Sequence, residues 1–229
     1  MKRPKFINGE IYHIYNRGVE KRNIFLDNSD RFRFIHNLFE FNDTAPALNI
    51  YYKNSYEARP RKVPQKVRTQ IVDILAFCMM DNHYHLLVRQ RGDNGISKFM
   101  QKLGTGWTMY FNQKYQRTGA LFQGLFKAVH VNKDEYFIHI PYYIHFNPLD
   151  FITPEWRNRE LKDYKKAIKY LENYRWSSHL DYCGIKNFPS VTNRELLIEF
   201  FGGPEEYKKT VLRWLEELDI NSIEEMTLE

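Results

Sequence analysis

Residues 10–17 read EIYHIYNR, with Ile11, His13 and Tyr15 alternating against Tyr12 and Ile14. A period of two marks a strand with two unlike faces. The next stretch, DNSDRFRFIHNLFEFN, changes period. Phe32, Ile35, Leu38 and Phe39 recur at helical spacing, and Asp27, Asn28 or Ser29 can supply the N-cap. IVDILAFCMM (71–80) is a β-rich apolar run, expected as a buried strand. Asp81 and Asn82 turn it, and HYHLLVRQ returns as its hairpin partner. NGISKFMQKLGTGWTMYFNQKYQ (94–116) predicts the longest helix. Ile96, Phe99, Met100, Leu103, Trp107, Tyr110 and Phe111 form one stripe, with Lys98, Gln101, Lys102 and Thr105 outside it. Gly104 and Gly106 weaken that helix by about 1 kcal/mol each relative to Ala, and they leave room for a close neighbour. LFQGLFKAVHV (121–131) predicts a fourth strand, and DEYFIHIPYYIHFN (134–147) a third helix ending before Pro148.

The predicted order is β-α-β-β-α-β-α. Its first six elements match the ferredoxin-like arrangement, an antiparallel sheet with helices on one face. The fold class is therefore α+β: a ferredoxin-like antiparallel sheet (βαββαβ) with an added helix bearing Tyr142 and Tyr143. Two C-terminal helices follow, TNRELLIEFF and PEEYKKTVLRWLEEL, separated at Gly202 and Gly203. Residues 42–69 show no period. They carry Arg59, Arg61, Lys62, Lys66 and Arg68 around Pro60 and Pro64, and are expected to be a basic insertion.

Charge sharpens the picture. Val191–Glu229 holds ten acidic and four basic side chains, a net of −6. The whole chain is +6, so residues 1–190 carry +12. A body that positive suits a polyanionic partner, nucleic acid first. Tyrosine and phenylalanine number 16 and 17, more than a core of this size requires, and base stacking is one use for the surplus. No apolar run approaches the roughly 20 residues that span a bilayer, and the basic start lacks a signal-peptide core. Cys78 and Cys183 form no metal or redox pattern. A reduced cytoplasmic location with no membrane partner is the expectation.

On a strand, residues i and i+2 share a face. His83 and His85 therefore project together with Leu87 and Arg89, while Tyr84, Leu86 and Val88 point into the helix-covered core. Two neighbouring imidazoles can share one divalent cation. The bland alternative is a pair of half-exposed histidines on an open sheet face. YYIHFNP (142–148) offers what two histidines lack. Tyr143 and Asn147 are four apart and share a helix face. Asn147 has an amide oxygen to offer a cation, and Tyr143 a phenol able to attack phosphorus. Tyr142 lies about 100° round the helix and fits less well. Ordinary packing is the alternative for both tyrosines.

These segments resemble a known family. DNHYHLLV is similar to the His-apolar-His (HUH) motif of single-tyrosine transposases, and more narrowly of the REP-associated tyrosine transposases. YHIYNRGVEKRNIF resembles the family's opening strand and turn, and YFNQKYQRTGALFQGLFKAV its long-helix end and fourth strand. YIHFNP resembles its tyrosine motif, and YRWSSH the segment after it. The resemblance covers about residues 8–182. It implies His83 and His85 as metal ligands, Asn147 as the third ligand and Tyr143 as nucleophile. Two departures stand out. Pro141 is expected to kink or break the helix just before Tyr143, and Tyr142 stands where the family has arginine, which puts one DNA contact in question.

The resemblance implies a metal-dependent enzyme, a DNA strand-transfer endonuclease of the HUH type using Mg²⁺ or Mn²⁺. Tyr143 would form a 5′-phosphotyrosine on single-stranded DNA, at an imperfect hairpin or inverted repeat, and reversal by another 3′-hydroxyl would rejoin strands. A free phenol has a pKa of about 10, so a base is wanted; His139, one turn earlier, is the candidate. Candidate DNA contacts are Arg17, Arg59, Arg61, Lys62 and Lys127, with Lys165, Lys166 and Lys169 extending the surface. Tyr51, Tyr52 and Trp107 are stacking candidates, though Trp107 also belongs to the core stripe. Residues 1–190 form the expected catalytic domain and 191–229 an acidic helical extension. Monomer and homodimer are both open. Two rival readings stay in play: a hairpin-binding protein that does not cleave, and a metal-dependent phosphodiesterase using water.

Overall fold

The computed structural model describes residues 4–45, 68–158, 161 and 163–217. Four strands, β1 (Ile11–Arg17), β2 (Val72–Met79), β3 (His83–Gln90) and β4 (Lys127–His130), form one antiparallel sheet in the order β2-β3-β1-β4. With α1 (Asn28–Glu40) after β1 and α2 (Gly95–Lys114) after β3, this is the ferredoxin-like arrangement expected from the sequence. Asp27 is the N-cap of α1, its carboxylate accepting from Asp30 N at 2.7 Å.

The alternation in β1 and β3 sorts their residues onto two cores. Tyr12, Ile14, Tyr84, Leu86 and Val88 pack beneath α1 and α2 with Phe34, Leu38, Phe99, Leu103 and Trp107. Gly106 admits the Phe41 ring, which would stand 2.6 Å from a Cβ at that position. The fourth strand is shorter than the run 121–131 suggests. Phe122 makes only an isolated bridge to Gly18, and Gly124, at φ +153°, interrupts the extended backbone before Lys127.

The opposite face is also covered. The helix α3 (Asp134–Phe146) lies over it, continued by 3₁₀ turns at Asn147–Phe151 and Pro154–Asn158. Then come α4 (Tyr164–Asn173), α5 (His179–Tyr182), α6 (Glu195–Phe201) and α7 (Pro204–Glu217). The helix α3 runs through Pro141 without the break that the sequence allowed there. Proline removes one backbone donor, and the burial of Ile140, Pro141, Tyr142, Tyr143 and Ile144 in the second core outweighs that loss. Tyr142 stacks on Tyr207 and Trp214 of α7, at 5.4 and 4.9 Å between ring centroids. The C-terminal helices thus share a core with α3.

One buried polar chain ties these layers. The His145 imidazole meets Ser178 Oγ through Nε2 and the Tyr207 hydroxyl through Nδ1, both at 2.7 Å. The same hydroxyl meets His179 Nδ1 at 2.9 Å, and His179 Nε2 faces Cys183 Sγ at 3.5 Å. Ser178 Oγ accepts from Phe77 N of β2 at 2.9 Å. The chain links the sheet, α3, α5 and α7, and His145 faces away from Tyr143 as its spacing requires.

Candidate active site

The register of β1 against β3 sets Tyr15 opposite His85 and Arg17 opposite His83. Directly opposed residues share a face, so His13, Tyr15, Arg17, His83 and His85 look toward α3. The half-exposed alternative for the histidines does not hold: His85 is 0% exposed and His83 7%. Their rings lie 5.0 Å apart.

Each imidazole is oriented through Nδ1. His83 Nδ1 lies 2.6 Å from Asn82 Oδ1 in the β2–β3 turn. His85 Nδ1 lies 2.9 Å from His13 Nε2, and Tyr136 Oη of α3 is 3.4 Å from His13 Nδ1. An imidazole that donates from one nitrogen presents the lone pair of the other. If Nδ1–H of His83 donates to Asn82 and that of His85 to His13, both rings offer Nε2 as the ligand atom.

Tyr143 descends from α3 onto this face. Its ring is 5.8 Å from His85 and 6.1 Å from His13 between centroids, edge to face in both cases. It is 2% exposed. Asn147 Nδ2 donates to Tyr143 O at 2.8 Å, closing the turn on which both sit. Arg157 Nη1 donates to Tyr143 Oη at 3.1 Å, and Nη2 donates to Asn147 Oδ1 at 3.0 Å. Asp150 anchors that guanidinium, accepting from Nε at 3.0 Å and Nη2 at 2.8 Å. Burial opposes the charge on Arg157, but the Asp150 hydrogen bond and the neighbouring Tyr143 outweigh it and raise the guanidinium pKa.

His139 rests on Trp214 of α7, ring centroids 4.2 Å apart, and burial lowers its pKa. Burial favours the neutral ring, the state a base needs, while the ring itself packs on the α7 side of the helix. Tyr142 is pushed up to about 12 by burial, with Thr210 and Arg213 opposing, and its ring packs on Tyr207 and Trp214. Arg17 and Lys127 line a cavity of about 400 Å³ with Tyr15, Asn16, Lys21 and His83. The Lys127 ammonium sits 5.7 Å over the Tyr15 ring. Positive charge thus stands beside His83. Arg59, Arg61 and Lys62, with Tyr51 and Tyr52, lie outside the described residues. Trp107 is wholly buried in the first core.

Sequence reasoning missed two members of this cluster. His13 carries a legible signal, because it shares the parity of Tyr15 on a strand that must lie near β3. Arg157 carries none; two irregular 3₁₀ turns deliver it.

Among the described residues no group of three or more His, Cys, Asp or Glu side chains is arranged to hold a metal ion. The candidate donor set is of another kind, two imidazoles and one amide oxygen. Its chemistry fits a divalent cation of the Mg²⁺ or Mn²⁺ type, with the remaining positions left to phosphate and water. Asn147 Oδ1 already accepts from Arg157, and a carbonyl oxygen keeps a second lone pair for such an ion.

Two solved structures were found similar to this chain. One is described as the structure of the REP-associated tyrosine transposase bound to a REP hairpin. It is 14% identical, with a TM-score of 0.50, covering 82% of this chain and 88% of that one. At that identity the likeness is one of fold. A second, tRNA(His) guanylyltransferase from Saccharomyces cerevisiae, is 10% identical with a TM-score of 0.35, covering 96% and 83%, and carries no argument. No curated protein matches the chain. The family described as Transposase IS200 like matches residues 49–147. That stretch contains His83, His85, Tyr143 and Asn147 and is similar to that family, in line with the resemblance read from the sequence. The match leaves out β1, with His13, and everything beyond Asn147, including Arg157.

No helix among the described residues is long and apolar enough to cross a membrane.

Proposed function

We propose that this chain nicks and rejoins single-stranded DNA through a 5′-phosphotyrosine at Tyr143, acting at a hairpin or inverted repeat. The observation that carries the reading is the placement of Tyr143, its ring edge-on to His85 and its oxygen held by Arg157. His83 and His85, with Asn147, would hold a divalent cation, which when bound would withdraw charge from the scissile phosphate. Tyr143 Oη attacks phosphorus in line. The Oη–P bond forms as the P–O3′ bond breaks, and the proton lost by the phenol is matched by one gained at the leaving 3′ oxygen. Attack by a different 3′-hydroxyl reverses the step and needs no external energy source.

The basic cavity beside His83 supports strand binding next to the reacting phosphate, through Arg17, Lys21 and Lys127. The C-terminal segment from residue 191 is proposed as an extension that braces the tyrosine helix, on the strength of the Tyr207 and Trp214 stacking on Tyr142.

The test uses a labelled single-stranded hairpin oligonucleotide, Mn²⁺ and a denaturing gel. A covalent adduct that vanishes in Tyr143→Phe is the expected result. Cleavage without an adduct overturns the reading in favour of a water-using phosphodiesterase, and a mobility shift without cleavage in favour of a binding protein.

A further inference from the structure

Arg157 lies beyond the end of the family match at residue 147, yet it makes direct contact with the tyrosine oxygen. Its guanidinium bridges three side chains, donating to Tyr143 Oη, Asn147 Oδ1 and both Asp150 oxygens. Asp150 is itself fixed, accepting from Trp156 Nε1 at 2.7 Å, and the Trp156 ring lies 4.8 Å beneath the guanidinium carbon. An ion pair with Asp150 alone would suffice to pin this loop. The additional bonds to Tyr143 and Asn147 are what a structural role leaves unexplained.

A guanidinium has donors only. Tyr143 Oη must therefore accept from Arg157, and its own hydrogen must point elsewhere. The phenol is thereby oriented about its C–O bond. As the oxygen attacks and sheds its proton, charge builds on it 3.1 Å from a cation already in position. Such preorganised donors cost no rearrangement at the moment of reaction. Four of the five guanidinium N–H groups are engaged by Asp150, Tyr143 and Asn147, which fixes the guanidinium plane against the tyrosine oxygen in a way a lysine ammonium would not.

We propose that Arg157 is a catalytic residue of strand transfer, holding Tyr143 Oη for attack and balancing the negative charge on that oxygen as it attacks and, on rejoining, as it leaves. Arg157 exchanges no proton; the bonds formed and broken are those at phosphorus already described. The inference rests on Tyr143 being the nucleophile.

The experiment measures two quantities on the full chain. The probe is a fluorescent single-stranded oligonucleotide carrying an imperfect hairpin and its flanking bases, taken from inverted repeats bordering the coding region. The rate of covalent adduct formation is read at saturating protein with Mn²⁺, and hairpin affinity by anisotropy. Arg157→Lys is expected to slow adduct formation about 10- to 100-fold while hairpin Kd stays within about twofold. Arg157→Ala slows it further, and added methylguanidinium restores part of the rate. Adduct formation by Arg157→Lys within twofold of the unmodified protein overturns the inference alone. So does a rate loss matched by an equal loss of hairpin affinity, which marks a structural role. Absence of any adduct from the unmodified protein, with the hairpin bound, overturns strand transfer itself and this inference with it.

Discussion

Tyr207→Phe removes one oxygen from the second core and nothing else. That oxygen joins His145 Nδ1 at 2.7 Å to His179 Nδ1 at 2.9 Å, and the residue is 1% exposed. A single hydroxyl proton can serve only one of two imidazoles. Two head-to-tail arrangements satisfy every member of the network. In one polarity Ser178 donates to His145, His145 to Tyr207, Tyr207 to His179, and His179 to Cys183. In the other every arrow reverses. Both keep both rings neutral, in keeping with the lowered pKa that burial gives each histidine. Deleting the hydroxyl breaks the chain at its centre and leaves two buried ring nitrogens unpaired. Each costs about 1–3 kcal/mol, and the mutant recovers part of that because it no longer buries a hydroxyl. The net loss is about 2–4 kcal/mol, with no cavity created. The assay is equilibrium urea denaturation of both proteins at pH 7.5. The midpoint should fall at unchanged slope, since the area exposed on unfolding is unchanged. A loss below about 0.5 kcal/mol, the noise level of surface substitutions, would refute the network as a stabilising link between α3 and α7.

Two further predictions follow from the same structure. Burial pushes His179 down to about 4 among His145, Tyr207 and Cys183. The unfolded chain, with histidine near 6.5, takes up its proton first, so stability is full above pH 6.5 and falls as pH drops from there toward 4. The slope from this group is at most about 1.4 kcal/mol per pH unit; denaturation midpoints that stay level between pH 7 and pH 5 would contradict it. Lys127→Ala removes a cation from the cavity beside His83. Titrating the hairpin at several salt concentrations should show the log–log salt slope reduced by about 0.7–0.9, and an unchanged slope would remove Lys127 from the DNA contacts.

What the sequence could disclose divides along a physical line. Period-two and helical patterns belong to single elements and survive in the one-dimensional text, so β1, the β2–β3 hairpin, α2 and α3 were legible within a few residues. The shared face of His83 and His85 was legible too, because parity on a strand needs no partner. What lay outside the pattern depends on which elements meet. His13 joins the site only because β1 pairs with β3 in the register that puts His13 opposite Leu87 and Tyr15 opposite His85. Burial of the histidines depends on α3 folding back over the sheet, which no local period announces. Pro141 suggested a break because its cost is local and visible, whereas the packing that outweighs it is distant. Arg157 is the extreme case. It lies in the second of two 3₁₀ turns after a helix end, with no repeat, and its identity as a site residue exists only once Asp150, Asn147 and Tyr143 are held together in space. The chemistry-bearing side chains that regular elements carry are therefore readable in advance, while those that irregular turns deliver are not, and the residue proposed to complete the nucleophile is of the second kind.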